Sequence, residues 1–151
     1  MSNVEIVKKF IDAWSRLDRG EIEGAVSEDL FYQNIPFAAV AQLDELATFE
    51  DSVRAMLNAG GGGMPITPII GRNAFKNFLQ IVDLFAWASW EIKSIAGDGD
   101  IVFTERVDTF GFQGGGTIAI GVIGIFELRD GLIHKWRDYF SLSEFQSQMP
   151  S

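Results

Sequence analysis

Three short strings of polar residues interrupt otherwise apolar stretches of this 151-residue chain: Tyr32-Gln33-Asn34, Thr104-Glu105-Arg106-Val107-Asp108 and Trp136-Arg137-Asp138. Successive side chains of a strand alternate between its faces. Arg106 and Asp108 therefore share one side, roughly 7 Å apart at about 3.4 Å of rise per residue, together with Val102, Thr104 and Phe110. From Leu132 to Phe140 the same alternation groups Leu132, His134, Trp136, Asp138 and Phe140, with Lys135 and Arg137 opposite. An ionised carboxylate among apolar side chains is unfavourable unless it is paired. Arg106, on a strand able to face the same concavity, is the candidate partner of Asp138. Such a cluster is either a buried ion pair that fixes register or a functional site, because both perturb pKa values. Tyr32 and Asn34, also two apart before Pro36, are read on spacing alone as turn chemistry and core satisfaction.

Other chemistries are excluded by what the chain lacks. There is no cysteine, so no disulfide, thiolate nucleophile or Cys-ligated metal. His134 is the only histidine, which leaves no multi-histidine metal site, and any Ser-His-Asp triad would need it. Gly60–Gly63 and Gly114–Gly116 lack the Lys-Ser/Thr of a phosphate loop and read as connections. A net charge of −9 repels phosphate backbones, so nucleic acid is not an expected partner. No apolar run approaches the ~18 residues of a membrane span, and a cytoplasmic protein with no membrane partner is expected. With 13% aromatic residues and a mean hydropathy of +0.12, the chain is rich enough in apolar side chains to fold. Its length suits a single domain over 1–151.

The elements that must position these residues follow from periodicity. Val4, Val7, Phe10, Ile11, Trp14 and Leu17 form one helical stripe, opened by a Ser2/Glu5 capping box and stopped at Asp18-Arg19-Gly20. A short helix is expected over Glu21–Val26, then an extended stretch from Leu30 to Asn34. Leu43 to Leu57 suggests a further helix, which runs into the four glycines and into Pro65 and Pro68. Beyond Gly71, Phe75, Phe78, Leu79, Val82 and Phe85 make another helical stripe, read as core. From Trp87 the period falls to two. Ala88–Ala96, Asp100–Phe112, Thr117–Leu128 and Leu132–Phe140 read as strands separated by Gly- and Asp-rich turns. Helices first and an antiparallel meander afterwards argue for α+β.

Taken together, the Tyr32-Gln33-Asn34, Thr104–Asp108 and Trp136–Phe140 strings resemble the limonene-1,2-epoxide hydrolase family. Gly71-Arg72 and Glu144-Phe145 are similar too, and the likeness runs in order along almost the whole chain. The resemblance implies an NTF2-like fold akin to ketosteroid isomerases and polyketide cyclases. In that fold a cone-shaped, strongly curved mixed sheet carries N-terminal helices that close a deep pocket. It also implies a homodimer that needs no cofactor. Carried over by motif, Asp138 is the base acting on water, Tyr32 and Asn34 also hold that water, Asp108 is the acid at the epoxide oxygen, and Arg106 bridges the two carboxylates. Trp136, Phe140, Val102 and Phe110 are expected to line the substrate pocket.

Such residues suit the chemistry. Opening an epoxide leaves an alkoxide, which a positioned acid protonates while a base generates the nucleophile from water. The expected reaction is addition of water to an apolar, small-to-medium epoxide, giving a vicinal diol. An isomerase or an epoxide-opening cyclase would use the same acid–base pair without water attack. A non-catalytic small-molecule-binding domain is a third possibility, since one fold hosts many functions. Two features depart from the family: Ser141, where another Asp is common, and a much longer stretch between Pro36 and Gly71. The helical, Gly/Pro-rich insertion at about 40–70 is either a lid over the pocket mouth or a decoration on the surface or dimer contact.

Overall fold

The computed structural model describes residues 1–37, 48, 50 and 66–149. Most of the 40–70 insertion, including the expected Leu43–Leu57 helix and Gly60–Gly63, lies outside the described residues.

Helix α1 spans Asn3–Ser15 and opens with the expected capping box: Ser2 Oγ accepts from the Glu5 amide, and the Glu5 carboxylate accepts from the Ser2 amide. Its apolar stripe buries Val7, Phe10, Ile11 and Trp14. The helix stops at Ser15, two residues early, and Leu17 takes a left-handed backbone with φ 53°. Asp18 then caps a second helix, α2 (Arg19–Gly24), by accepting from the Glu21 amide. The expected Glu21–Val26 helix is thus displaced by two residues, and Val26 already belongs to strand β1 (Val26–Phe37).

A two-residue strand β2 (Ile69–Ile70) pairs antiparallel with β1, and Gly71 turns the chain at φ 90° while its amide donates to Leu30 O. Helix α3 (Arg72–Phe78) follows, and Arg72 fastens it to β1 by donating from Nε and Nη2 to the Val26 carbonyl. The expected long helix ends here. Leu79–Leu84 winds as a 3₁₀ segment, and Phe85 opens strand β3 (Phe85–Asp98). Strands β4 (Ile101–Phe112), β5 (Thr117–Arg129) and β6 (Leu132–Ser141) continue the meander at the expected places. A last helix, α4 (Leu142–Gln148), was not foreseen. Its signal is Ser141 three residues before Glu144: Ser141 Oγ accepts from the Glu144 amide, and Gln148 bonds both backbone groups of Ala119 on β5.

The six strands run in the order β2-β1-β6-β5-β4-β3, with β1 and β6 parallel and every other pair antiparallel. The fold is α+β, a curved mixed sheet with helices packed against it. Ser15 Oγ accepts from the Trp90 amide at 2.8 Å and so pins the end of α1 to β3. The core sits between α1 and the sheet, where Trp136 is fully buried among Phe10, Trp14 and Phe126.

One face assignment changes. Glu127 pairs with Lys135 but Leu128 pairs with Ile133, so His134 is an extra residue in β6. This bulge shifts the alternation by one. Ile133, rather than Leu132 or His134, is the fully buried residue at the start of the strand. Trp136 and Asp138, past the bulge, face inward as expected.

Candidate active site

Register brings the polar strings together. In the β1–β6 ladder Tyr32 lies beside Trp136 and Asn34 beside Asp138. Across β5, Gly124 pairs with both Asp138 on β6 and Thr104 on β4. Arg106 and Asp108 project from β4 toward the same concavity.

Arg106 is the hub. Its Nε and Nη2 grip Asp108 at 3.0 and 2.9 Å, Nη2 also reaches Asp138 Oδ2 at 2.9 Å, and Nη1 donates to Thr104 Oγ1 at 2.8 Å. The guanidinium lies over Trp90 and near Phe126, 5.0 and 5.9 Å from the ring centres. Arg106, Asp108 and Asp138 are all buried, and the other oxygen of Asp138 accepts from Trp136 Nε1 at 2.7 Å. Burial opposes the charge on Arg106, yet the two carboxylates outweigh it and hold its pKa above the usual value. Burial pushes Asp108 up to about 6, against the pull of Arg106 and with help from the charge on Asp138. Tyr32 and Asn34 bond each other, with Asn34 Nδ2 donating to the Tyr32 hydroxyl at 3.0 Å. Burial, followed by the nearby charge on Asp138, raises the Tyr32 pKa.

Tyr32, Asn34, Asp108 and Asp138 form the polar end of a cavity of about 330 Å³ whose other described walls are apolar. Phe78, Leu84 and Phe85 close one side, Phe110 and Phe140 rise from the sheet, and Phe145 comes from α4. Val102 and Trp136 do not line the cavity, because both are fully buried in the core beneath it. Among the described residues, no group of three His, Asp or Glu side chains is placed to hold a metal ion. The arrangement offers two carboxyl groups, one with a raised pKa, on a shared arginine beside an apolar chamber. It is equipped to move protons at both ends of a reacting bond.

A model of the limonene-1,2-epoxide hydrolase catalytic domain matches residues 47–151, more than two thirds of the chain. The chain belongs to that family. The match begins after β1, so Tyr32 and Asn34 join the family's matched region through space rather than within it. Epoxide hydrolase EphG of Mycobacterium tuberculosis is 26% identical over 136 residues, which span 90% of this chain and 71% of that protein. A solved M. tuberculosis epoxide hydrolase of the limonene-1,2-epoxide hydrolase type superposes with a TM-score of 0.69 at 23% identity, covering 97% of this chain and 87% of the other. An NTF2-like protein of unknown function from Burkholderia pseudomallei reaches the same TM-score of 0.69 at 15% identity, with full coverage of both chains. These two structural likenesses speak for the fold alone, which is NTF2-like. Family membership supports epoxide hydrolysis as the class of reaction. No helix among the described residues is long and apolar enough to cross a membrane.

Thr104, placed by alternation on the same face as Arg106 but given no role from the sequence, is the third side chain to accept from the guanidinium. Gly124 escaped the sequence reading altogether. Gly124 leaves the space beneath the cluster: a Cβ there would fall 2.3 Å from Arg106 Nη1 and 2.9 Å from Asp138 Oδ1.

Proposed function

We propose that this member of the family hydrolyses an apolar, small-to-medium epoxide in one step, without a cofactor, to a vicinal diol. The carrying observation is a single nitrogen, Arg106 Nη2, lying 2.9 Å from one carboxylate oxygen of each aspartate. In this reading Asp138 takes a proton from a water molecule also held by Tyr32 and Asn34. The water oxygen bonds to one oxirane carbon as the carbon–oxygen bond on the opposite side breaks. Asp108, protonated below about pH 6, gives its proton to the departing oxygen. Asp138 then holds the proton that Asp108 has lost, and its return resets the pair. Arg106 stabilises the one shared negative charge throughout, in a two-carboxylate geometry that Lys cannot reproduce. The apolar chamber suits a hydrocarbon skeleton with no polar group far from the oxirane.

Incubation with a terpene epoxide and an aryl epoxide tests this directly. The expected product is the diol. A ketone or allylic alcohol would place the protein among isomerases, a cyclic ether from a hydroxy-epoxide would make it a cyclase, and binding without turnover would make it a receptor domain.

We further propose that the protein works as a homodimer. Trp87, Phe103 and Ile123, on neighbouring strands, are exposed on the sheet face opposite the cavity. Exposed large apolar side chains on this face, set among the exposed carboxylates Glu91 and Glu105, favour burial against a second copy.

A further inference from the structure

We propose that Trp136 is a positioning residue for the reaction: its indole N–H and ring together hold the Asp138 carboxylate and the Tyr32 hydroxyl in the relation that binds and deprotonates water. This role rests on the hydrolase reading above, and it gives a function to a side chain otherwise accounted for as core.

The geometry is specific to an indole. Trp136 and Asp138 stand two apart on β6 beyond the bulge, so both side chains rise from one face. The indole donates from Nε1 to Asp138 Oδ1 at 2.7 Å, while Arg106 Nη2 donates to Oδ2 at 2.9 Å. With a donor fixed on each oxygen, the carboxylate cannot turn about its own axis without losing both bonds. A general base must aim a lone pair at the proton it removes, within about 2.6–3.2 Å between heavy atoms. Fixing that plane is what the two donors do.

The ring adds a second constraint. Tyr32 stacks on it with centroids 4.0 Å apart and planes 11° from parallel, and Tyr32 is bonded to Asn34. Phe126 stacks at 5.6 Å and Phe10 meets the ring edge-on at 5.1 Å. Held by these rings and fully buried, the indole is a rigid spacer between β6, which bears the base, and β1, which bears the other water-holding groups. A phenyl ring would keep much of the stack. It would not reach the carboxylate with a donor.

Trp136→Phe removes the N–H, and site-specific replacement of Trp136 by benzothienylalanine, in which sulfur takes the place of the N–H, does so at nearly unchanged volume. The latter decides the question should the Phe protein fail to fold. Steady-state kinetics on an epoxide that the wild type converts should show kcat lowered about 10- to 100-fold, as for a misaligned base, with KM changed by less than about three-fold. In an Asp138→Asn background the same replacement should cost nothing further, because no base remains to be positioned. Equal losses in both backgrounds, or a rise in KM at constant kcat, would reduce Trp136 to a packing residue. Full kcat in the benzothienylalanine protein would overturn the role while leaving the hydrolase reading intact. A wild type that makes no diol would overturn both.

Discussion

Arg106 distributes its donors over Asp108, Asp138 and Thr104 from a position closed to solvent. Lys has one nitrogen and no planar fork, so Arg106→Lys should lower turnover about 100-fold or more although charge is retained. Arg106→Met takes both donors from the buried Asp108 carboxyl group and leaves Asp138 with the Trp136 indole as its donor. It should cost about 3–5 kcal/mol in urea unfolding, the usual result of breaking a buried pair from one side. Asp108→Asn and Asp138→Asn should each lower kcat by roughly 10² or more with an unchanged circular dichroism spectrum. Diol formation at the wild-type rate by either variant would remove that residue from the mechanism. Because burial lifts Asp108 to about 6, the alkaline limb of kcat/KM should fall with a midpoint near that value, a property of the aspartate pair as a whole.

At the scale of elements, β5 decides whether the cluster can form. Gly124 is flanked in register by Thr104 and Asp138, and a Cβ there would meet Arg106 Nη1 at 2.3 Å. Gly124→Ala should therefore push the guanidinium off its acceptors. The expected cost is about 1–3 kcal/mol of stability, together with a loss of turnover larger than the loss of folded protein explains; thermal melting and kinetics on the same sample check this. The inward faces of β4 and of β6 past residue 134 were legible in the sequence because a strand has a strict period of two. The role of Gly124 was not, since it depends on which residues two neighbouring strands place beside it. The His134 bulge escaped for the same reason: it is a property of pairing with β5, and it moved Ile133 into the core in place of Leu132. The helical stripe through Phe85 misled because a 3₁₀ segment and the start of β3 keep the same residues buried for a few positions. Val102 and Trp136 share faces with site residues but lie deeper, and alternation tells side rather than depth.

For the whole molecule, titration of the site is linked to folding. The Asp108 pKa of about 6 lies above the ordinary value of 3.8, so the folded state binds a proton that the unfolded chain releases. This contribution is complete below about pH 4 and is lost as pH rises through about 6. Urea unfolding of the wild type should thus weaken relative to Asp108→Asn across that window, and parallel curves would show that the group is not linked to folding. Association is the second property at this scale. Ile123→Glu places a charge on the exposed sheet face, opposite to the cavity, and sedimentation should report a dimer for the wild type and a monomer for the variant.

In the proposed reaction water, activated by one carboxylate and assisted by the other, attacks the epoxide directly. A single turnover with enzyme in excess, run in ¹⁸O-water and followed by mass spectrometry of both product and protein, tests it. Direct attack puts one ¹⁸O in the diol and none in Asp108 or Asp138. An unlabelled first-turnover diol with ¹⁸O in either aspartate would mean that a carboxylate attacked first and an ester was then hydrolysed, contradicting direct attack by water.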